Sequence, residues 1–223
     1  MIFKPHAYQR YSIDKVQEIP RLALLLECGL GKTVITLTAI QQMLGVDVDK
    51  VLVIAPLRVA QSGWAQECQK WDHLKGLRVS RVLGSEKVRK EAMQRSADIY
   101  VINRENVAWL VDTYERDWPF DMVVIDELSS FKNPQSQRFK AMRRVLGKIE
   151  RIVGLTGTPA PNSLMDLWSQ VYLLDGGMRL GRFIGNYRQT YFTAQILPSV
   201  GIVYKYNLRP GADRAIYERI KDI

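Results

Sequence analysis

Seven consecutive residues, Glu27-Cys28-Gly29-Leu30-Gly31-Lys32-Thr33, are of the types that can hold a phosphate chain. Glycines let backbone N–H groups turn inward around phosphate oxygens, and the start of a following helix adds positive potential. Lys32 can neutralise β- and γ-phosphates, and the Thr33 hydroxyl can ligate Mg2+. The full G-x-x-x-x-G-K-[ST] spacing also asks for a glycine five positions before Gly31, where this chain has Leu26. The loop alone therefore also fits a glycine turn carrying a solvated lysine. A second group, Asp126-Glu127, closes the apolar run Met122-Val123-Val124-Ile125. Asp126 can hold Mg2+ through the metal's water shell, and Glu127 can orient or deprotonate an attacking water. Acids after a strand also serve as helix caps. Gly-Lys-Thr and Asp-Glu after separate strands are together far more specific than either, and they point to hydrolysis of a nucleoside triphosphate.

To act together, the two groups must be delivered to one edge of a sheet. Leu22–Leu26, Val51–Ala55, Ile99–Ile102, Met122–Ile125 and Ile152–Leu155 read as strands, with Arg78–Leu83 as a further candidate. They are almost continuously apolar rather than alternating, as strands covered on both faces by helices are. Between them Thr33–Leu44, Val59–Trp71, Ser85–Arg95, Glu105–Tyr114 and Ser136–Leu146 carry helical spacing. This predicts an α/β fold, a mostly parallel central sheet flanked by helices, with right-handed crossovers. After Asn162 the pattern turns to two helices, Leu164–Leu174 and Arg182–Phe192, around Asp175-Gly176-Gly177, a small helical appendage. Pro198–Leu208 reads as a hairpin or extended connector, and Ala212–Ile220 as a helix.

The 223 residues are 47% hydrophobic, enough for a core, which excludes disordered and collagen-like classes. No segment approaches the roughly 18 apolar residues of a membrane span, so a membrane partner is not expected. The balance of 32 Lys+Arg against 23 Asp+Glu, a formal +9, favours a polyanionic partner. Cys28 and Cys68 are the only cysteines, so neither a disulfide framework nor a zinc site is expected, and a reducing cytoplasm fits. The N-terminus lacks the basic and apolar regions of a secretion signal.

Other segments fall into a known order around these groups. They are Lys4-Pro5-His6-Ala7-Tyr8-Gln9, Leu52-Val53-Ile54-Ala55-Pro56-Leu57 with Trp64 through Trp71, and Asp98-Ile99-Tyr100-Val101-Ile102-Asn103. Asp126-Glu127-Leu128-Ser129-Ser130-Phe131-Lys132-Asn133 follows, then Leu155-Thr156-Gly157-Thr158-Pro159-Ala160-Pro161-Asn162-Ser163 and the helix containing Asp166-Leu167-Trp168. With the phosphate loop as motif I, nearly the whole chain resembles the first RecA-like lobe of superfamily-two helicase-like ATPases, particularly the Swi/Snf family of double-stranded DNA translocases. The segments are similar to that family's motifs Ia, Ib, II (the DEAH box) and III. Ser129 stands in place of the DEAH histidine, Leu128 in place of its alanine, and one residue is inserted within Arg58–Gly63 relative to the usual motif Ia. Ser129 and Asn162-Ser163 look more like prokaryotic or phage members than eukaryotic ones.

The resemblance implies ATP and Mg2+ as ligands. Gln9 would read the adenine, Gly29, Leu30, Gly31, Lys32 and Thr33 would hold the phosphates, and Thr33 and Asp126 would hold the metal. Lys32, Asp126 and Glu127 would be catalytic. Thr156 and Thr158 would sense the nucleotide and couple it to the loops facing DNA. Double-stranded DNA becomes the leading partner, with Arg58, Gln61, Asn103, Arg104 and Lys132 as candidate contacts. Residues 1–195 would form the ATP-binding lobe, the appendage lying at about 163–192, and residues 196–223 a connector toward a second RecA-like lobe not found in the chain. In such enzymes the second lobe supplies an arginine finger, whose loss costs about 10³–10⁵ in turnover. This chain is therefore expected to bind nucleotide and hydrolyse little. An RNA or single-strand helicase, and a non-catalytic nucleic-acid-binding module, are the rivals. Lys132-Asn133 and the Trp168 helix argue against the first, and intact Lys32, Thr33, Asp126 and Glu127 against the second.

The remaining signals read as structural. Trp64 and Trp71, seven apart, would share one helix face and pack in the core, as would Trp168. His6 and His73 lack ligand-spaced partners. Cys28 is read as a small buried residue, and Arg143, Arg144, Lys148 and Arg151 as a solvated face.

Overall fold

Strands buried on both faces send alternate side chains into two different cores. In the computed structural model, which describes residues 1–157, 160, 163–197 and 202–223, that is what organises the chain. Among the described residues six parallel strands form one sheet. They are β1 (Arg21–Leu25), β2 (Val51–Ala55), β3 (Val79–Val82), β4 (Ile99–Asn103), β5 (Met122–Asp126) and β6 (Arg151–Thr156), in spatial order β1-β6-β5-β2-β4-β3. Leu52, Tyr100, Ile102, Val123 and Ile125 point to one face, while Val51, Val53, Val101, Met122 and Val124 point to the other.

Helices α1 (Ala7–Glu18), α2 (Lys32–Met43) and α3 (Trp64–Lys70) cover the second face with Ile13, Val16, Leu37, Ile40 and Trp64. The first face is covered by α4 (Glu86–Gln94), α5 (Val107–Tyr114), α6 (Gln137–Val145) and α7 (Leu167–Asp175). The same cluster takes in Tyr187 from α8 (Ile184–Tyr191) and Ile216 from α9 (Ala212–Ile220), so the segment after β6 packs onto the main body. Trp168 is buried there and donates from Nε1 to Gly181 O at 3.0 Å. Strands β7 (Phe192–Leu197) and β8 (Ile202–Leu208) form an antiparallel hairpin that starts directly after α8. Residues 198–201, the first part of the expected hairpin or connector, lie outside the described residues.

Two local departures matter for the site. The expected helix over Val59–Trp71 is interrupted: Val59–Gly63 is a π-helical turn and α3 starts only at Trp64. A π-turn is how a helix takes up one extra residue without losing its continuity, which is the form expected of an insertion within Arg58–Gly63. Helix α1 is the second departure, since the sequence reading placed no helix there. It buries only Gln9, Ser12, Ile13 and Val16, too few apolar residues to give a periodic signal. No helix among the described residues is long and apolar enough to cross a membrane.

Candidate active site

The sheet register sets the site. Leu25 of β1 pairs with Thr156 of β6, and Leu155 of β6 pairs with Asp126 of β5. The glycine loop after β1, Thr156, and Asp126-Glu127 after β5 are thereby placed side by side at the carboxyl edge, where open α/β sheets bind ligands. An open cavity of about 700 Å3 there is lined by Gln9, Gly29, Gly31, Lys32, Thr33 and Asp126.

The loop is built on two left-handed glycines, Gly29 at φ 86° and Gly31 at φ 81°, the second capping α2. Lys32 Nζ donates to the carbonyls of Leu26 at 2.7 Å and Glu27 at 3.1 Å, which curls the loop around the ammonium. Gln9 is buried against the loop. Its Oε1 accepts from the His6 backbone N–H at 3.0 Å, and its Nε2 donates to Leu30 O at 3.3 Å. The Tyr8 hydroxyl donates to the same carbonyl at 3.2 Å. Cys28, read from sequence as buried, is exposed and lines the cavity, because the left-handed turn at Gly29 leaves the preceding side chain outside the core. Cys68 is the buried thiol, and burial pushes its pKa up to about 11.

Asp126 and Glu127 are half-buried. Asp126 Oδ2 accepts from Trp64 Nε1 at 2.9 Å. Burial raises the Asp126 acid above the ordinary carboxylate value and the charge of Glu127 adds to this, while the Trp64 hydrogen bond and Lys32 oppose it. Glu127 has φ 67° and ψ 68° and is the one non-glycine with positive φ among the described residues. Left-handed backbone at a residue with a long side chain is strained by about 1–3 kcal/mol and persists where the surroundings fix it. Two hydroxyls do so: Thr156 Oγ1 donates to Glu127 Oε1 at 3.0 Å, and Ser129 Oγ donates to the same oxygen. Ser129, which stands in place of the DEAH histidine, thus bonds directly to Glu127. Leu128 packs onto Gly154 of β6, where the absent side chain makes room for it. Thr158 lies outside the described residues.

The residues present fit a Mg2+ ion. Mg2+ keeps several waters and is held by one or two carboxylates plus substrate phosphates rather than by a protein cage. Among the described residues no cluster of three or more His, Cys, Asp or Glu is arranged for a metal, while Thr33 and Asp126 line one cavity beside the phosphate loop.

The nucleic-acid candidates follow the same edge. Arg58 and Gln61, after β2, are exposed, and Arg81 Nη1 donates to Gln61 O at 2.9 Å. Arg104, after β4, is half-buried and paired with Glu105 at 3.0 Å, and Lys132 lies 3.8 Å from Asp166. Asn103 is buried: its Nδ2 donates to Glu105 and its Oδ1 accepts from Asn106, so it shapes this corner from inside. Trp71 is half-buried at the cavity rim, edge-on to Phe3 at 5.2 Å. His73 Nε2 sits 2.9 Å from Thr38 Oγ1.

The sequence matches the SNF2-related domain over residues 14–178. Protein p41 of Acyrthosiphon pisum secondary endosymbiont phage 1 is 39% identical over 204 residues, covering 88% of this chain and 44% of the relative. Helicase SWR1 of Mycosarcoma maydis is 33% identical over 159 residues, 66% of this chain and 8% of its own. The Sulfolobus solfataricus SWI2/SNF2 ATPase core, solved in complex with dsDNA, superposes with TM-score 0.70 at 25% identity, over 86% of this chain and 41% of that one. The UvsW helicase from bacteriophage T4, at 16% identity and TM-score 0.58 over 76% of this chain and 58% of its own, shares the fold. The chain therefore spans less than half the length of the phage relative and of the archaeal core.

Proposed function

The chain belongs to the SNF2-related family of helicase-like proteins and folds as a RecA-like lobe, and from that premise we propose that it binds Mg-ATP as the first lobe of a motor moving on double-stranded DNA. The observation that carries this reading is the register of β1, β6 and β5, which brings Lys32, Thr33 and Asp126 to one cavity, with Glu127 next to Asp126 and hydrogen-bonded to Thr156 at the same sheet edge. In this reading the glycine loop and Lys32 hold the phosphates, the ammonium exchanging two carbonyl partners for phosphate oxygens, and Gln9 holds the adenine. Thr33 and Asp126 hold Mg2+, which when bound neutralises charge on the β- and γ-phosphate oxygens. Glu127 orients the attacking water. Its Oε1 is held by Ser129 and Thr156, so the carboxylate has a fixed direction before any nucleotide arrives. Thr156 and Thr158 carry the state of the site toward the DNA-facing loops.

DNA lies along those loops, held by Arg58, Gln61, Arg104 and Lys132. Contacts to the backbone alone suit a motor that must move over any sequence. In this reading a second lobe completes the site, which agrees with the chain covering 41% of the archaeal core and 44% of the phage relative, and residues 196–223 lead toward it. The archaeal relative solved with dsDNA supports the choice of polymer.

Steady-state ATPase of the chain with Mg2+, alone and with double-stranded DNA, single-stranded DNA or RNA, tests this, with Glu127→Gln as the blank. Nucleotide binding with turnover near the blank is the expected result. Strong stimulation of the isolated chain by double-stranded DNA would overturn the half-site reading, and absence of nucleotide binding would overturn the site itself.

A further inference from the structure

Trp64 is fully buried, and its indole N–H is aimed at Asp126 Oδ2 across 2.9 Å from a residue 62 positions away in the chain. Filling this apolar cluster does not call for a polar atom; Phe or Leu would do so without the cost of desolvating an N–H. An indole N–H donates and never accepts, so the contact requires a carboxylate oxygen facing it and resists rotation of the group about its terminal torsion. We propose that Trp64 is a positioning residue for Mg2+ binding: its N–H fixes Oδ2 of Asp126 and so aims the carboxylate at the cavity. This rests on reading the cavity as a Mg-nucleotide site.

The placement of Trp64 is itself a product of the local fold. It is the first residue of α3, directly after the π-turn Val59–Gly63, whose Gln61 carbonyl is pinned by Arg81 at 2.9 Å. An ordinary α-helical turn over the same residues would rotate position 64 by roughly a quarter to a third of a turn and carry the indole off the carboxylate. The π-turn and the hydrogen bond belong together. Second-sphere partners of this kind change metal affinity by about 10- to 100-fold when removed.

The test is the affinity of the full chain for a fluorescent ADP analogue, measured in Mg2+ and again in EDTA, the ratio giving the metal-dependent gain. Trp64→Phe keeps the ring and removes the donor. The expected result is a gain reduced about tenfold with EDTA affinity and thermal melting unchanged. A gain equal to wild type, or the same fold-loss in both conditions as a packing defect would give, overturns the proposal. Benzothienylalanine at position 64, which replaces the N–H by sulfur at nearly constant shape, guards against misfolding of the Phe variant. It is expected to lose the gain as well, and retention of the wild-type gain would overturn the proposal. If wild type itself shows no metal-dependent gain, the reading of the nucleotide site fails first.

Discussion

The Leu128 side chain lies over Gly154 so closely that a Cβ added at Gly154 would sit 2.6 Å from Leu128 Cδ2. Leu128 directly follows Glu127, and Gly154 lies on β6 between β1 and β5, so this contact seats the acidic pair on the sheet. Each residue needs the size of the other. Gly154→Ala should destabilise the chain by about 1–3 kcal/mol through overpacking, and Leu128→Ala by about 2–4 kcal/mol through the cavity it leaves. The double variant should lose less than the sum, because the added methyl enters the space vacated. Urea unfolding of the four proteins measures this, and strict additivity would remove Leu128 from the role given to it.

Glu127 owes its fixed direction to hydroxyl donors. Thr156 is fully buried, and replacing its hydroxyl by a methyl in Thr156→Val should cost about 1–2 kcal/mol. Thr156→Ser, which keeps the donor, should retain most of that. In a Glu127→Ala background the penalty for Thr156→Val should shrink. A penalty independent of residue 127 would mean that the 3.0 Å bond contributes nothing.

Gly31 answers to two constraints at once, its φ of 81° and a would-be Cβ 2.8 Å from Gln9 Nε2. Gly31→Ala should lower nucleotide affinity tenfold or more. Since Gln9 also contacts the nucleotide in this reading, the two constraints are separated by stability: Gln9→Ala relieves the clash and leaves the backbone strain, so the double variant should melt below Gln9→Ala alone. Equal melting of those two proteins would show that only the clash mattered.

For DNA, an exposed cation and a buried amide make different forecasts. Arg58→Ala should weaken binding to a duplex uniformly across sequences and reduce the slope of log K against log salt by about one. Asn103→Ala should leave that slope unchanged, since its side chain is spent on Glu105 and Asn106. A slope indifferent to Arg58 and to Lys132 would place the duplex on another face.

Much of this was readable before any coordinates, because buried parallel strands announce themselves as continuous apolar runs. Val51–Ala55 and Ala212–Ile220 have the bounds that their patterns suggest. Helix α1 was not legible, as its mostly polar sequence hides the few buried positions. The π-turn left no mark in the helical spacing of Val59–Trp71, since periodicity cannot say where a helix widens by one residue. Trp64 read as core, and it is core. Its second role depends on an acceptor 62 residues away that only the sheet topology brings near. Cys28 was misread because a small residue in an apolar-flanked loop carries no mark of which way it faces. The substitution at Ser129 was plain in sequence, but its bond to Glu127 required knowing that the backbone at Glu127 turns left-handed.

One Mg-nucleotide site at the carboxyl edge of β1, β6 and β5 requires that Lys32 contribute to nucleotide affinity. The most direct measurement is equilibrium binding of a fluorescent ATP analogue in Mg2+ to the wild-type chain and to Lys32→Ala. Saturable binding by wild type that weakens at least tenfold in the variant is the predicted result. Equal affinity in the two proteins would contradict the assignment of the loop and, with it, the account of the site.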